Sequence, residues 1–519
     1  MRTTADWKTI ELRSGGADRK RNYKSWWLWA AAVVGLAIIG GAIYLQRQWP
    51  FKEANVLKEL QQATASQVHF GSFKRTYFPR PGCLAEQVVF RRGSDPKQQQ
   101  VMTVKKLTIE GNLTRLLTKH VALMRAEGTD LVFPPLGAGE PWKPTDSNVI
   151  VDELIADGAL LEFKSSNDKK PRTKFTLSKF EVHHLASQEP MRFEVRLRNP
   201  TPPGDVSASG SFGPWNKKQV SATPISGSYE FRNANLGDLA GIRGVLASDG
   251  KFQGTLESLQ VEGGTDTPEF GLKRTPHKVD LRTQFHAEVD STNGDVTLKQ
   301  VHARVGRTVI VSSGTISQRK KENGKTTALN FAVSDGRIQD LMLLFVSEKQ
   351  SPLSGSVSLR AKAVVPPGDR PFLRKLRMVG DFGVQDASFT KPKTQQDLDK
   401  LSMAARGQGD QTDNAERVVS DLQGHVIVEN GTATFSDLSF GIPGAKAHLN
   451  GTYDLITEKV DLHGMLYMDA KLPQATSGIK SFLLKALDPF LKKNRHGGAK
   501  IPVSITGTYD KPVYKSDPV

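Results

Sequence analysis

Leu281-Arg282-Thr283-Gln284-Phe285-His286-Ala287-Glu288-Val289 sets Leu281, Phe285, Ala287 and Val289 against Arg282, Gln284, His286 and Glu288. Successive side chains of an extended chain point to opposite sides, so this segment is a strand with one apolar and one polar face. The same period of two recurs on either side of it. Val301, Ala303 and Val305 alternate with His302 and Arg304, and Val357, Leu359, Ala361 and Ala363 alternate with Ser358, Arg360 and Lys362. Upstream, Phe193, Val195 and Leu197 alternate with Glu194, Arg196 and Arg198. One-sided strands of this kind belong to antiparallel sheets, because parallel sheets bury both faces. Residues 151–392 are therefore expected to form a repetitive, mainly β region, a long meander of hairpins.

A local signature accompanies the strands. Gly, a small or polar residue, then an aromatic or aliphatic one recurs at Gly210-Ser-Phe, Gly227-Ser-Tyr, Gly250-Lys-Phe, Gly314-Thr-Ile, Gly355-Ser-Val, Gly380-Asp-Phe, Gly451-Thr-Tyr and Gly507-Thr-Tyr. Read locally, each glycine supplies a turn and the next residues open the pleat. The spacing is too irregular for a propeller blade or another strict short repeat.

Working outward toward the N-terminus, residues 46–150 read as a helix followed by strands. Val56, Leu57, Leu60 and Ala63 fall at helical spacing within 51–64, strands follow around 68–70, 88–90, 104–110 and 130–133, and Asn112 is placed to cap a short helix holding Leu113, Leu116 and Leu117. Toward the C-terminus, residues 393–420 are rich in Gln, Asp, Lys and Gly, and read as a polar linker or loop with room for a helical piece. Residues 421–519 return to the β pattern and contain the best amphipathic helix of the chain, 479–491. There Ile479, Phe482, Leu483, Ala486, Leu487, Phe490 and Leu491 form one stripe, with Lys480, Lys485, Lys492 and Lys493 off it. Such a stripe packs on a sheet end or lies on an anionic membrane surface.

Trp26 to Leu45 is a run of twenty residues without a charge. As a helix it spans about 30 Å, the thickness of a hydrocarbon core. Trp26, Trp27 and Trp29 at one end and Tyr44 and Trp49 at the other suit the two headgroup layers. Arg13, Arg19, Lys20, Arg21 and Lys24 precede the run, against Arg47 and Lys52 after it. The heavier basic flank keeps residues 1–25 cytoplasmic and sends the bulk of the chain across the membrane. The rival reading is a cleaved signal peptide with Gly40-Gly41-Ala42 as its site. The apolar run continues past that point through Ile43 to Leu45, which favours an uncleaved single-pass anchor.

A chain of 519 residues with 38% hydrophobic composition and a net charge of +17 is neither a multi-span membrane protein nor a disordered one. The basic residues are scattered over alternating segments, without the basic and aromatic platform of a nucleic-acid binder, so no nucleic-acid partner is expected. The single cysteine, Cys83, forbids an intrachain disulfide. No G-x-S-x-G, Walker A or H-E-x-x-H motif occurs, and 244–251 ends in Gly-Lys but continues with Phe252 where a P-loop needs Ser or Thr. His183 and His184 are adjacent on a strand, so their rings diverge and do not share a metal. The expectation is a protein with no catalytic residues, no metal and no cofactor.

The ordered motifs resemble the AsmA family of bacterial envelope proteins, which is similar to bridge-like lipid transfer proteins. The resemblance rests on the N-terminal apolar anchor, the helix leading into Val68-His-Phe-Gly-Ser-Phe, and Lys106-Leu-Thr-Ile-Glu-Gly-Asn-Leu-Thr-Arg-Leu-Leu-Thr running to Leu131-Val-Phe-Pro. At the far end it rests on Asn430-Gly-Thr-Ala-Thr-Phe, Gly451-Thr-Tyr-Asp-Leu, Val460-Asp-Leu-His-Gly and Ile501-Pro-Val-Ser-Ile-Thr-Gly-Thr-Tyr-Asp-Lys-Pro. It covers residues 50–135 and 420–515, and the middle shares only the β pattern. It implies a long, curled, mostly antiparallel β-sheet groove with a few short helices, anchored in the inner membrane, with its bulk in the periplasm. Such a groove carries phospholipid acyl chains, for lipid transport or outer-membrane homeostasis.

Independently, about two dozen strands at about 4.8 Å spacing make a sheet of roughly 110–120 Å with few helices to cover its apolar face. That face closes on itself as a sandwich or barrel, or something apolar fills it. Candidate groove residues are Val357, Leu359, Ala361, Val426, Val428, Leu438, Phe440, Leu462, Leu466 and Met468. The partners expected are phospholipids and the inner membrane. The alternative is a non-enzymatic assembly scaffold with a dry core that binds other envelope proteins.

Overall fold

The computed structural model describes residues 51–92, 100–112, 120–133, 149–164, 173–186, 188–216, 218–239, 241–319, 324–406, 420–469, 499–508 and 511–515. The chain divides into two compact units, Met1–Val56 and Leu57–Val519. The predicted anchor at 26–45, the short helix after Asn112 and the amphipathic helix 479–491 lie outside the described residues. Among the described residues no helix is long and apolar enough to cross a membrane.

Helix α1 (Glu53–Thr64) has an acidic residue, Glu53, in its first turn, where it faces the positive end of the helix dipole. The rest of the described chain is dominated by one large, mostly antiparallel sheet. β1 (Gln67–His69) and β2 (Ser72–Thr76) both pair with β3 (Gly82–Arg92), which leads through β4 (Gln100–Gly111) to β5 (His120–Phe133). β6 (Ile150–Asp157) and β7 (Ala159–Phe163) are the exception, since both run parallel to β5. They act as one broken strand, interrupted at Gly158 and facing β8 (Thr173–Leu185) on the other side.

From β8 on, each strand pairs antiparallel with the next. The series is β9 (Met191–Pro200), β10 (Pro203–Phe212), β11 (Pro224–Asn235), then, past the short β12 (Ile242–Arg243), β13 (Val245–Thr255), β14 (Leu259–Leu272), β15 (Val279–Asp290) and β16 (Asp295–Val305). It continues as β17 (Thr308–Gln318), β18 (Lys325–Arg337), β19 (Leu353–Val365), β20 (Arg377–Phe389), β21 (Ser420–Glu429), β22 (Thr432–Ile442), β23 (Ala445–Asp454), β24 (Lys459–Met468), β25 (Ala499–Thr508) and β26 (Lys511–Lys515).

Residues opposite one another in register share a face, so one row can be followed across the whole sheet. It starts at Arg75 on β2 and runs through Cys83, Ile109, Met124, Leu154, Val182 and Phe193. It continues through Gly210, Gly227, Phe252, Val261, Ala287, Leu298, Gly314 and Leu329. It ends through Ala363, Met378, Val428, Ala433, Tyr453, Val460, Gly507 and Pro512 on β26. Apart from Arg75 at its start, every residue of the row is apolar, aromatic or glycine. A row of the other face, read the same way, is Glu181, Glu194, Ser209, Ser228, Lys251, Glu262, His286 and Gln300.

The row stays on one side although many strands break the period of two. Register shifts fall between Phe231 and Ala234, Thr267 and Phe270, Leu298 and Val301, Val333 and Gly336, Val384 and Ala387, and Phe435 and Leu438. In five of these six steps the residue just before the second apolar-face position has positive φ: Asn233, Glu269, Asp335, Asp386 and Asp437. Each is a β-bulge: one extra residue bends the strand, and the next side chain returns to the apolar face. Asn and Asp dominate because they tolerate the left-handed conformation best after glycine. Most of the residues that follow are deeply buried, with Ala234 at 0% and Ala387 at 1% exposure, while Phe270 is half-buried.

The bends bring distant hairpins together. Arg274, in the turn after β14, donates to the carbonyls of Leu455 (3.3 Å) and Ile456, in the turn after β23. Ser347, before β19, donates to Glu458 at 3.5 Å. In a flat sheet β14 and β23, nine pairings apart, would lie about 43 Å from each other.

The stretch expected as a polar loop at 393–420 is largely helical in its described part: α4, Pro392–Ala405, follows two short helices, α2 (Ile338–Met342) and α3 (Phe372–Lys375). Leu398, Leu401 and Ala405 of α4 are buried against Leu438, Ile442, Ala445, Ala447, Leu449, Leu466, Met468 and Ile501. Three apolar residues at helical spacing suffice to seat it, which is why no apolar run announces it. Residues 407–419 lie outside the described part.

Candidate functional site

The recurring glycines are not turn residues. Gly210, Gly227, Gly250 and Gly314 lie inside strands, on the apolar face, and the aromatic or aliphatic residue two positions on lies on the same face. Their purpose is close approach. A Cβ at Gly227 would lie 2.8 Å from Cζ of Phe252, and one at Gly250 would lie 2.8 Å from Cε1 of Tyr229. A Cβ at Gly263 would meet the Tyr229 hydroxyl at 2.9 Å and Phe285 Cζ at 3.1 Å. Rings from one strand therefore lie across glycines of the next, the arrangement by which an aromatic covers bare backbone. The result is a broad apolar floor over β10–β15.

Several polar groups on that floor are paired, whereas the buried Thr267 hydroxyl on β14 has no hydrogen-bond partner among the described residues. Tyr229 Oη and Ser248 Oγ are 3.1 Å apart, and Ser248 Oγ donates to the Gly264 carbonyl at 2.9 Å. Burial pushes the Tyr229 phenol above its ordinary range. Thr265 and Thr283 share a hydrogen bond of 2.7 Å between their hydroxyls.

The ten candidate groove residues all lie on the apolar face, but most serve in packed clusters. Val357 is buried with Val333, Leu353, Val384 and Ala387, where Ile338, Leu341 and Met342 of the α2 segment pack, and Leu359 borders that cluster. Val426 and Val428 are buried with Ala433 beneath Leu376 and Tyr453. Leu438, Leu466 and Met468 belong to the cluster under α4, with Phe440 and Leu462 at its margin. Ala361 is buried on β19. The less covered part of the face lies upstream, where Phe193, Tyr229, Phe252, Val261, Phe285 and Val301 are only half-buried. The alternation is legible there in the sequence, but it does not mark these residues as a site; the glycine–aromatic signature is the signal that carries them.

The opposite face is charged and self-neutralising. An open depression of about 850 Å³ on β8–β11 is lined mainly by Thr176, Ser178, Glu194, Arg196, Arg198, Asp205, Ser207, Ser209, Ser228, Glu230 and Arg232. Its arginines are paired, Arg196 with Glu194 at 3.1 Å, Arg198 with Asp205 at 2.8 Å and Arg232 with Glu230 at 3.5 Å. Lys179, bonded to Glu194 at 2.8 Å, is held above its usual range, and its ammonium holds that carboxyl below the ordinary one. Exposed pairs such as these stabilise little. They keep the face wet. Among the described residues no group of three or more His, Cys, Asp or Glu is disposed to hold a metal ion. No family model, no curated protein and no solved structure matches this chain.

Proposed function

We propose that this chain is a single-pass, membrane-anchored envelope protein, similar to the AsmA family, that binds phospholipid acyl chains along the apolar face of its curled sheet. Its role is lipid transport or outer-membrane homeostasis, with the anchor at 26–45 in the inner membrane and the sheet in the periplasm. The observation that carries the reading is the row from Cys83 to Pro512, apolar, aromatic or glycine at every register step. The hydrogen bonds from the turn at Arg274 to the turn at Leu455 support a curled sheet.

One acyl chain covers about half of a hydrocarbon core, about 15 Å, and so lies over about three strands at about 4.8 Å each. Each methylene it buries is worth about 0.8 kcal/mol. Because one strand's offering closely resembles the next, a lipid displaced along the row exchanges like contacts for like and meets no deep trap. Headgroups stay in water at the strand ends. Such movement uses no proton transfer and no nucleophile.

The test is extraction of the full-length chain from membranes in a mild detergent, followed by mass spectrometry of what remains bound. Phospholipid in stoichiometric amount is the expected result. A chain that retains its fold yet carries none, with a discrete protein partner in its place, would favour the assembly scaffold.

A further inference from the structure

We propose that the turn joining β2 to β3, residues 77–81, docks on an anionic phospholipid bilayer, with Tyr77 and Phe78 in the headgroup layer and Arg75 drawing a lipid phosphate to the start of the apolar row. The docking itself stands on the turn alone, and the role of Arg75 rests on the reading that the row holds acyl chains.

Three observations meet here. Phe78 is 90% exposed and Tyr77 51%, and Phe78 is the barest large apolar side chain among the described residues. A ring held in water on a short turn gains by entering a headgroup layer, where amphipathic aromatics concentrate. The segment is also purely basic. Ser72-Phe-Lys-Arg-Thr-Tyr-Phe-Pro-Arg-Pro81 contains Lys74, Arg75 and Arg80 and no acidic residue. Arg80 reaches Glu110 at 3.1 Å, while Lys74 and Arg75 are exposed. Aromatic and cationic side chains on one exposed turn are the composition that seats a segment on an anionic leaflet, whereas a protein-binding patch carries fewer charges at its centre.

The third observation is continuity. Arg75 stands opposite Cys83 and is the one charged residue of the row that continues to β26. Two positions back on the same face, Phe73 stands opposite Ala85, with its ring stacked on Phe70 at 5.6 Å. A guanidinium at the head of an apolar lane matches a phospholipid, phosphate toward Arg75 and acyl chain along the lane. The turn also belongs to the first hairpin after the predicted anchor, the part of the sheet nearest in sequence to the membrane.

The test uses the full-length chain in nanodiscs of phosphatidylethanolamine and phosphatidylglycerol, with a benzophenone side chain replacing Phe78 or, as control, Ser209 on the polar face. Irradiation is expected to give phospholipid adducts from position 78, several-fold fewer without phosphatidylglycerol, and almost none from position 209. In parallel, Phe78→Ser should melt like the parent, because that side chain is 90% exposed, yet take up pyrene-labelled phosphatidylglycerol from nanodiscs several-fold more slowly. Position 78 yielding no lipid adduct, or crosslinking only to protein, in a chain that does carry bound phospholipid overturns the docking and leaves the acyl-chain reading intact. Lipid adducts at 78 in a chain with no bound phospholipid uphold the docking and remove the acyl-chain reading.

Discussion

Cys83 stands in the apolar row between Arg75 and Ile109, 1% exposed, and burial pushes its thiol up to about 12. Almost no thiolate then exists at neutral pH, and the thiolate is the reactive form. Alkylation of Cys83 in the folded chain should be roughly a thousand-fold slower than in urea, measured by mass spectrometry; comparable rates would mean that β3 is not covered. Glu288 shows the opposite shift on the other face. Hydrogen bonds from Lys299 (the largest effect), Ser258 and Gln260 hold its carboxyl down at about 2, from an ordinary 4.5. A carboxyl depressed in the folded state stabilises above its unfolded pKa, and that contribution is lost as pH falls from about 4.5 toward 2. Glu288→Gln should therefore melt below the parent at neutral pH, and the gap should close as the melts are repeated between pH 4.5 and 3. A gap that does not change with pH would remove the pairing from the account. At this scale the sequence tells which face a residue takes where alternation is clean, as at Phe285 and His286. It does not tell which of the apolar residues are covered, because that depends on helices packed from elsewhere.

At the scale of elements, two devices were hidden from a period-of-two reading. Bulges turn Val384-Gln385-Asp386-Ala387 into an apolar step of three, which looks like a break in the strand and is a bend in it. Asp386→Val places a β-branched residue at positive φ and should destabilise by about 1–3 kcal/mol, while Asp386→Gly should be close to neutral in urea unfolding. Equal effects would mean that the side chain, not the backbone, matters there. Mid-strand glycines look like turns in the sequence because glycine serves both, and only pairing shows that Gly227 lies under Phe252. Helix α4 was hidden by composition, since its polar residues outnumber Leu398, Leu401 and Ala405. Leu401 is 6% exposed within the cluster under that helix. Leu401→Ala should lower stability by about 2–5 kcal/mol in the same assay, and a loss under about 1 kcal/mol would show that α4 is not seated on the sheet.

Over the whole molecule, what the sequence made legible was a mainly β chain of one-sided antiparallel strands. The parallel pairing of β6 and β7 with β5, and the register that aligns one apolar row from β3 to β26, were not legible. A register depends on turn lengths and bulges, and a slip of one residue would exchange the faces. The account's central claim is that this row is a lipid lane, and its most direct test uses two neighbours on β15. Phe285 lies on the apolar face above Gly263, and His286 lies on the polar face beside Glu262 at 3.3 Å. A benzophenone side chain is placed at one or the other in the full-length chain, irradiated in native membranes and analysed for bound phospholipid. The account predicts phospholipid adducts from position 285 and none above background from position 286; no adduct at 285, or equal adducts at both, would contradict it.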